Sequence, residues 1–233
     1  MRHILFCLLI GAVAFTGCEK EPPPPPPEQA PPPPSPEQIY GEIKPILQPF
    51  YTCMTEVKFL TDADREGVLK SLREAKMKQS GVENGRIALG KIAIDIEDLV
   101  RQARDQERWA VVKGAIMASD VLKPGVLAPD GRYASLMARA ELMLARPKVE
   151  VTGFITVDND LYTFVRVTEK VTEKVETFKV REGEEFFEPV DPKTKQKKPA
   201  VLRLVRVIGD QQAVEFLYVP ANDTWEVKGP RES

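Results

Sequence analysis

Three groups of acidic side chains are the first places where this 233-residue chain could do chemistry. Asp95, Glu97 and Asp98 crowd together. Glu182, Glu184, Glu185 and Glu188 flank Gly183. Asp158-Asn159-Asp160 is a short polar triplet. Paired carboxylates can run glycosidic acid–base chemistry, and carboxylates with carbonyls can hold calcium. Each group also has a plainer reading. Ile92, Ile96 and Leu99 share a helix face, so the first group sits mostly on the solvated side. The second has no tryptophan nearby to stack a sugar. The third lacks the twelve-residue loop and closing Glu of a calcium hand and reads as a hairpin turn. No G-x-G-x-x-G and no P-loop occurs.

The cysteines point to a different chemistry. Arg2 and His3 open the chain, an apolar run follows from Ile4 to Phe15, and small residues lead to Cys18. Charge, apolar stretch and small-residue exit, in that order, make a secretory signal. The run is too short for a bilayer span, which needs about 20 residues. Phe15-Thr16-Gly17-Cys18 resembles the lipobox of bacterial lipoproteins, although that family prefers Leu where this chain has Phe15. The resemblance implies that Cys18 is lipidated, carries three acyl chains and becomes the first residue of the mature protein. More than one chain makes attachment lasting, at about 0.8 kcal/mol per buried CH₂. Glu19 is not the aspartate that in this family resembles an inner-membrane retention signal, which favours the outer membrane of a two-membrane cell.

With residues 1–17 removed, His3 and Cys7 go with them. The mature chain then has no histidine, so it lacks the commonest general base near neutral pH. Ser–His and Cys–His nucleophilic pairs are excluded, and a single thiol at Cys53 builds neither a zinc site nor an internal disulfide. Cys53, within Phe50-Tyr51-Thr52-Cys53-Met54, reads as a buried small hydrophobe, with an intermolecular disulfide as the alternative.

Behind Cys18 lies a proline-rich segment. Eleven of the 21 prolines fall between positions 22 and 36. Proline removes backbone donors and fixes φ, so this stretch reads as a polyproline stalk. Its length from Glu19 to Pro36 is roughly 50 Å, a semi-rigid spacer; a docking site for a proline-binding domain is the alternative. The net charge of -2 argues against nucleic acid, whose binding rests on clustered Lys and Arg. Lys193, Lys195, Lys197 and Lys198 do cluster, among prolines and polar residues, and read as a solvated loop with a surface or lipid contact as the alternative.

Residues 37–146 carry helical periodicity. Ile39, Ile43, Leu47, Phe50 and Met54 recur at three- and four-residue steps, and Pro45 and Pro49 must kink or divide that helix. Thr61 with Asp62 and Asp64 makes an N-terminal cap and acidic first turn. A longer helix carries Leu89, Ile92, Ile96, Leu99 and Ala103, another runs from Trp109 to Pro124, and a last one from Arg132 to Arg146. Trp109 reads as core, with an exposed contact as the alternative. Ile92 to Pro124 resembles one tetratricopeptide-like helix pair, closing on Ser119 and Pro124. That resemblance implies helical-hairpin packing and a binding groove.

At Pro147 the period changes to two. Val149, Val151, Gly153, Ile155 and Val157 face one way, and Leu161, Thr163, Val165 and Val167 continue after the turn. Further strands follow over 175–181, 201–208, 213–219 and 225–227, about six in all, which is an antiparallel sheet or small barrel. Val151-Thr152-Gly153, Val180-Arg181-Glu182-Gly183-Glu184 and Val205-Arg206-Val207 to Leu217 resemble the β-domains of pilus-assembly lipoproteins and of the inner-membrane component of type II secretion. The helical region between stalk and strands departs from that pattern. Adjacent strand residues point to opposite faces, so one of Phe186 and Phe187 is expected to be exposed, as a partner contact.

These readings together predict an α+β protein in four parts: a signal peptide over 1–17, a lipidated Cys18 with stalk over 18–36, a helical domain over 37–146 and an antiparallel β domain over 147–229. The function expected is that of a non-enzymatic, membrane-anchored envelope lipoprotein, structural or assembly-related, within a pilus or secretion machine. Its partners are the membrane and other envelope proteins, with no cofactor, no metal and no nucleic acid. The rival readings are a carboxylate-based cell-wall hydrolase and a small-ligand carrier.

Overall fold

Proline both starts and interrupts the helical half of this protein. The computed structural model describes residues 32–56, 59–170, 172–191 and 194–230. The first helix, α1 (Pro36–Ile43), begins inside the segment assigned by sequence to the stalk. The helix thus starts one residue before the position 37 expected from the sequence. Ser35 caps the helix: its side chain accepts from the Gln38 amide, and the Gln38 side chain accepts from the Ser35 amide at 2.8 Å. Proline at the first helical position costs nothing there, because that N–H has no intrahelical partner in any case. Pro45 and Pro49 divide the helix as expected. A 3₁₀ turn (Lys44–Leu47) and then α2 (Gln48–Thr55) follow, each with proline in its opening positions.

Thr61 heads α3 (Asp62–Gln79) through a reciprocal cap with Asp64. Asn84 and Gly85 lie in the first turn of α4 (Glu83–Asp105), which packs most extensively on α5 (Trp109–Leu122). The last helix is α6 (Ala134–Ala145). Ile39, Phe50, Leu69, Leu72, Ile92, Ile96, Leu99 and Ile116 form the fully buried centre of this half, and Cys53 is buried with them. No helix among the described residues is long and apolar enough to cross a membrane.

Two open antiparallel sheets follow, so the α+β class stands and the sheets do not close into a barrel. The first has β1 (Lys148–Val157), β2 (Asp160–Thr168) and β3 (Val175–Val180) in that order. The second has β4 (Glu185–Phe186), β5 (Leu202–Ile208), β6 (Ala213–Tyr218) and β7 (Asp223–Lys228). The Asp158-Asn159 turn joins β1 to β2 with both residues in the left-handed region, at φ 52° and 70°. A two-residue loop of that kind matches the strand twist.

The simple alternation expected along β1 fails at its middle. The register shifts between Val151 and Gly153, so Thr152 is an extra residue in the ladder. Val149 and Val151 stay buried, Phe154 packs against the core, and Ile155 and Val157 are exposed. A bulge inserts one residue and moves every later side chain to the other face.

The apolar centre of the β half is an aromatic series that joins the two sheets. Phe178 of β3 lies 5.5 Å from Phe186 and 6.1 Å from Phe187, Phe186 lies 6.1 Å from Phe216, and Phe216 lies 5.8 Å from Trp225. Such offset and edge-on pairs add to the area they bury. Residues 34–233 form one compact unit, within which the helical and β halves keep separate buried clusters. They meet through Asp223, which accepts from Arg146 at 2.9 Å and lies 3.6 Å from Arg139. The Arg146 guanidinium also stands over the Trp225 ring at 4.7 Å.

Candidate functional site

Of the residues singled out by sequence, Cys18 lies outside the described residues. Phe186 and Phe187 correct the expectation made for them: they are 6% and 5% exposed, and neither offers a surface contact. The reason is local. Phe187 has φ 61°, a left-handed backbone that breaks the alternation of the strand. Both rings therefore turn inward, onto Phe178.

The acidic groups are each held by separate partners. Glu182 accepts from the Val207 amide at 2.7 Å and Glu184 from the Arg181 amide at 3.1 Å. Glu185 pairs with Arg203, and Glu188 with Lys197 at 3.2 Å. Asp95 accepts from the Tyr40 hydroxyl at 2.7 Å. Asp160 pairs with Arg181 at 3.3 Å, beside the hairpin turn that the triplet forms. Lys198 pairs with Asp191 at 3.2 Å in the lysine-rich loop.

What the structure assembles instead is a cleft on the helical half. The C-terminal part of α4 supplies Glu97, Asp98, Arg101 and Arg104, which recur at helical spacing on one side of the helix. The loop after α5 folds back, with the Tyr133 amide donating to the Val126 carbonyl at 3.0 Å. Gly131 makes that turn possible, because a Cβ there would stand 2.5 Å from the Val126 oxygen. The loop delivers Arg132 and Tyr133 to the cleft, and α6 adds Ser135 and Arg139. Trp109 at the start of α5 forms its inner wall. The space enclosed is about 870 Å³.

Two of the cleft's four arginines stand over rings, and Arg101 and Arg104 pair with Asp98 and Asp105. Arg139 stands over Trp109 at 5.6 Å and Arg132 over Tyr133 at 5.2 Å. Trp109 is half-buried and packs against the helical core while lining the cleft. Glu97 accepts from Lys123 at 3.1 Å and lies 3.0 Å from Arg132. Burial pushes the Glu97 carboxyl upward, but hydrogen bonds from Lys123 and Arg132 outweigh it and hold it below its ordinary value. Burial also pushes the Tyr133 hydroxyl up. Four arginines face three carboxylates in the lining, a small positive excess. Guanidinium groups held flat by rings and carboxylates keep edge N–H groups for further acceptors.

No arginine of this cleft was singled out from the sequence. The helical spacing of Asp98, Arg101 and Arg104 is legible there, but it reads as a solvated face. The fold of loop 123–133 and the docking of α6 turn that face into a wall.

Comparison with known proteins adds nothing to this geometry: no family model, no curated protein and no solved structure matches the chain.

Proposed function

We propose that this chain is a lipid-anchored protein of the cell envelope that holds other envelope proteins through its helical half. The observation that carries the reading is the order of residues 1–18, with Cys18 as the lipid site and the proline-rich segment behind it as a spacer. Glu19 favours the outer membrane where two membranes exist. The cleft between α4, Trp109 and α6 supports the second part. It combines aromatic walls with arginines, the residue types enriched where proteins meet, and its charge suits an acidic segment of a partner. A pilus or secretion assembly is the setting that the resemblance of the β half implies. The hydrolase reading is not favoured, because Glu182, Glu184, Glu185 and Glu188 are each held by a different group.

Two measurements test this. Cys18→Ser should leave the protein unprocessed or soluble after cell fractionation; full retention in the membrane fraction would remove the anchor from the reading. Arg101→Glu with Arg104→Glu should lose the partners seen by mild crosslinking and mass spectrometry in the wild type. An unchanged crosslinking pattern would place the contact elsewhere.

A further inference from the structure

Where the C-terminal end of α6 meets the β-strands, the two apolar surfaces do not close. They leave a pocket of about 370 Å³, a size within the range of small-molecule sites. Leu142 and Ala145 of α6 form one wall, and Phe187 and Val201 form the opposite one. Tyr218, at the end of β6, also lines it. The left-handed turn at Phe187 that hides this ring from solvent thus also builds the pocket wall.

Tyr218 is the unusual member. It is 5% exposed, yet its hydroxyl makes no hydrogen bond with any described residue. The oxygen is not sealed in the core, and the open space beside this residue is the pocket. Burial pushes this hydroxyl above its ordinary range, with the Arg146 charge opposing. At neutral pH it is therefore protonated and able to donate. The charged groups of the lining, Glu169 and Lys198, are already engaged: Glu169 accepts from the Thr172 hydroxyl, and Lys198 pairs with Asp191 at 3.2 Å. Among the described residues, one cation and one anion leave the lining without net charge. An apolar wall, no net charge and one free donor together describe what fits.

We propose that this pocket binds a small neutral apolar molecule whose single carbonyl or ether oxygen accepts a hydrogen bond from Tyr218.

The test uses the full chain carrying Cys18→Ser, which leaves residues 34–233 untouched, purified without detergent. The probes are acetophenone, ethylbenzene and benzoate, which share a ring and differ in the acceptor and the charge. Protein NMR follows the methyl signals of Leu142 and Val201. Acetophenone should shift them saturably, ethylbenzene should bind about five- to tenfold more weakly for want of one hydrogen bond, and benzoate should bind more weakly than acetophenone. Tyr218→Phe should erase the preference for acetophenone over ethylbenzene while binding of ethylbenzene persists. Ala145→Phe should fill the pocket and abolish binding of both, with a cooperative melt to verify folding. The proposal is overturned if neither neutral probe shifts these methyls, if both bind equally, if benzoate binds best, or if folded Tyr218→Phe keeps the preference. Binding that survives in folded Ala145→Phe would overturn it as well.

Discussion

Phe187 shows how one backbone angle decides what a side chain can do. Two neighbouring phenylalanines in a strand cannot share a face, but a left-handed residue resets the alternation and both rings enter the aromatic series with Phe178. Truncation of a buried phenylalanine costs about 3–5 kcal/mol. Phe186→Ala and Phe187→Ala should each lose that much in denaturant unfolding; a loss below about 1 kcal/mol would mean that the ring is not in the core. Glu97 makes a second prediction at this scale. Its carboxyl is held below its ordinary value of 4.5 in the folded state, so its contribution is present above that value and is lost as pH falls through the lower, folded one. The pair is partly exposed, so the contribution is at most about 1 kcal/mol and weakens with salt. Glu97→Gln should therefore be less stable than wild type near neutral pH, with the gap closing as the pH falls below the ordinary carboxylate range. A gap that widens on acidification would reverse the sign of the argument.

Among the elements, the helices depend on where proline and glycine fall. Pro36, Pro45 and Pro49 each open a helical turn, where the missing N–H has no intrahelical partner to lose. Gly114 in α5 has a different role. A Cβ there would stand 2.9 Å from Cε1 of Phe50 and 3.1 Å from Cδ2 of Leu60. The glycine lets α2 and α5 approach. Gly90 in α4 has nothing within 4 Å of that point. Alanine is the better helix former by about 1 kcal/mol, so Gly90→Ala should raise the melting temperature. Gly114→Ala should lower it, because overpacking costs about 1–3 kcal/mol. Equal behaviour of the two variants would mean that Phe50 and Leu60 move aside freely.

At the scale of the whole molecule, the question is how strongly the two halves depend on each other. Their buried clusters are separate, and Asp223 joins them by holding Arg146 and Arg139. We expect a fragment of residues 147–233 to fold alone, with strand-type circular dichroism and a cooperative transition, because its aromatic series is internal to it. An unfolded fragment would show that the β half needs α6. In the full chain Asp223→Asn should cost about 1–3 kcal/mol, the range for a partly buried charged hydrogen bond. Amide exchange should quicken at Trp225 and Pro147's neighbours before it does in α4. Uniform quickening would mean that the halves open as one.

Periodicity by itself determined the order of elements. Helical spacing up to Arg146 and alternation after Pro147 are local properties, set by how side chains meet one buried face. Caps such as Thr61 with Asp64, the division at Pro45 and Pro49, and the Asp158-Asn159 turn are equally local, since each rests on hydrogen bonds or φ values within a few residues. The short strand at Glu185–Phe186 was missed because two residues carry no period. The bulge at Thr152 and the inward turn of Phe187 depend on partners far along the chain, which alone make an irregular backbone worth its strain. The arginine cleft and the pocket beside Tyr218 are later still. Each exists only because α6 docks, on α5 in the first case and on the 3₁₀ turn after β6 in the second, and no spacing within one segment encodes the gap left between two.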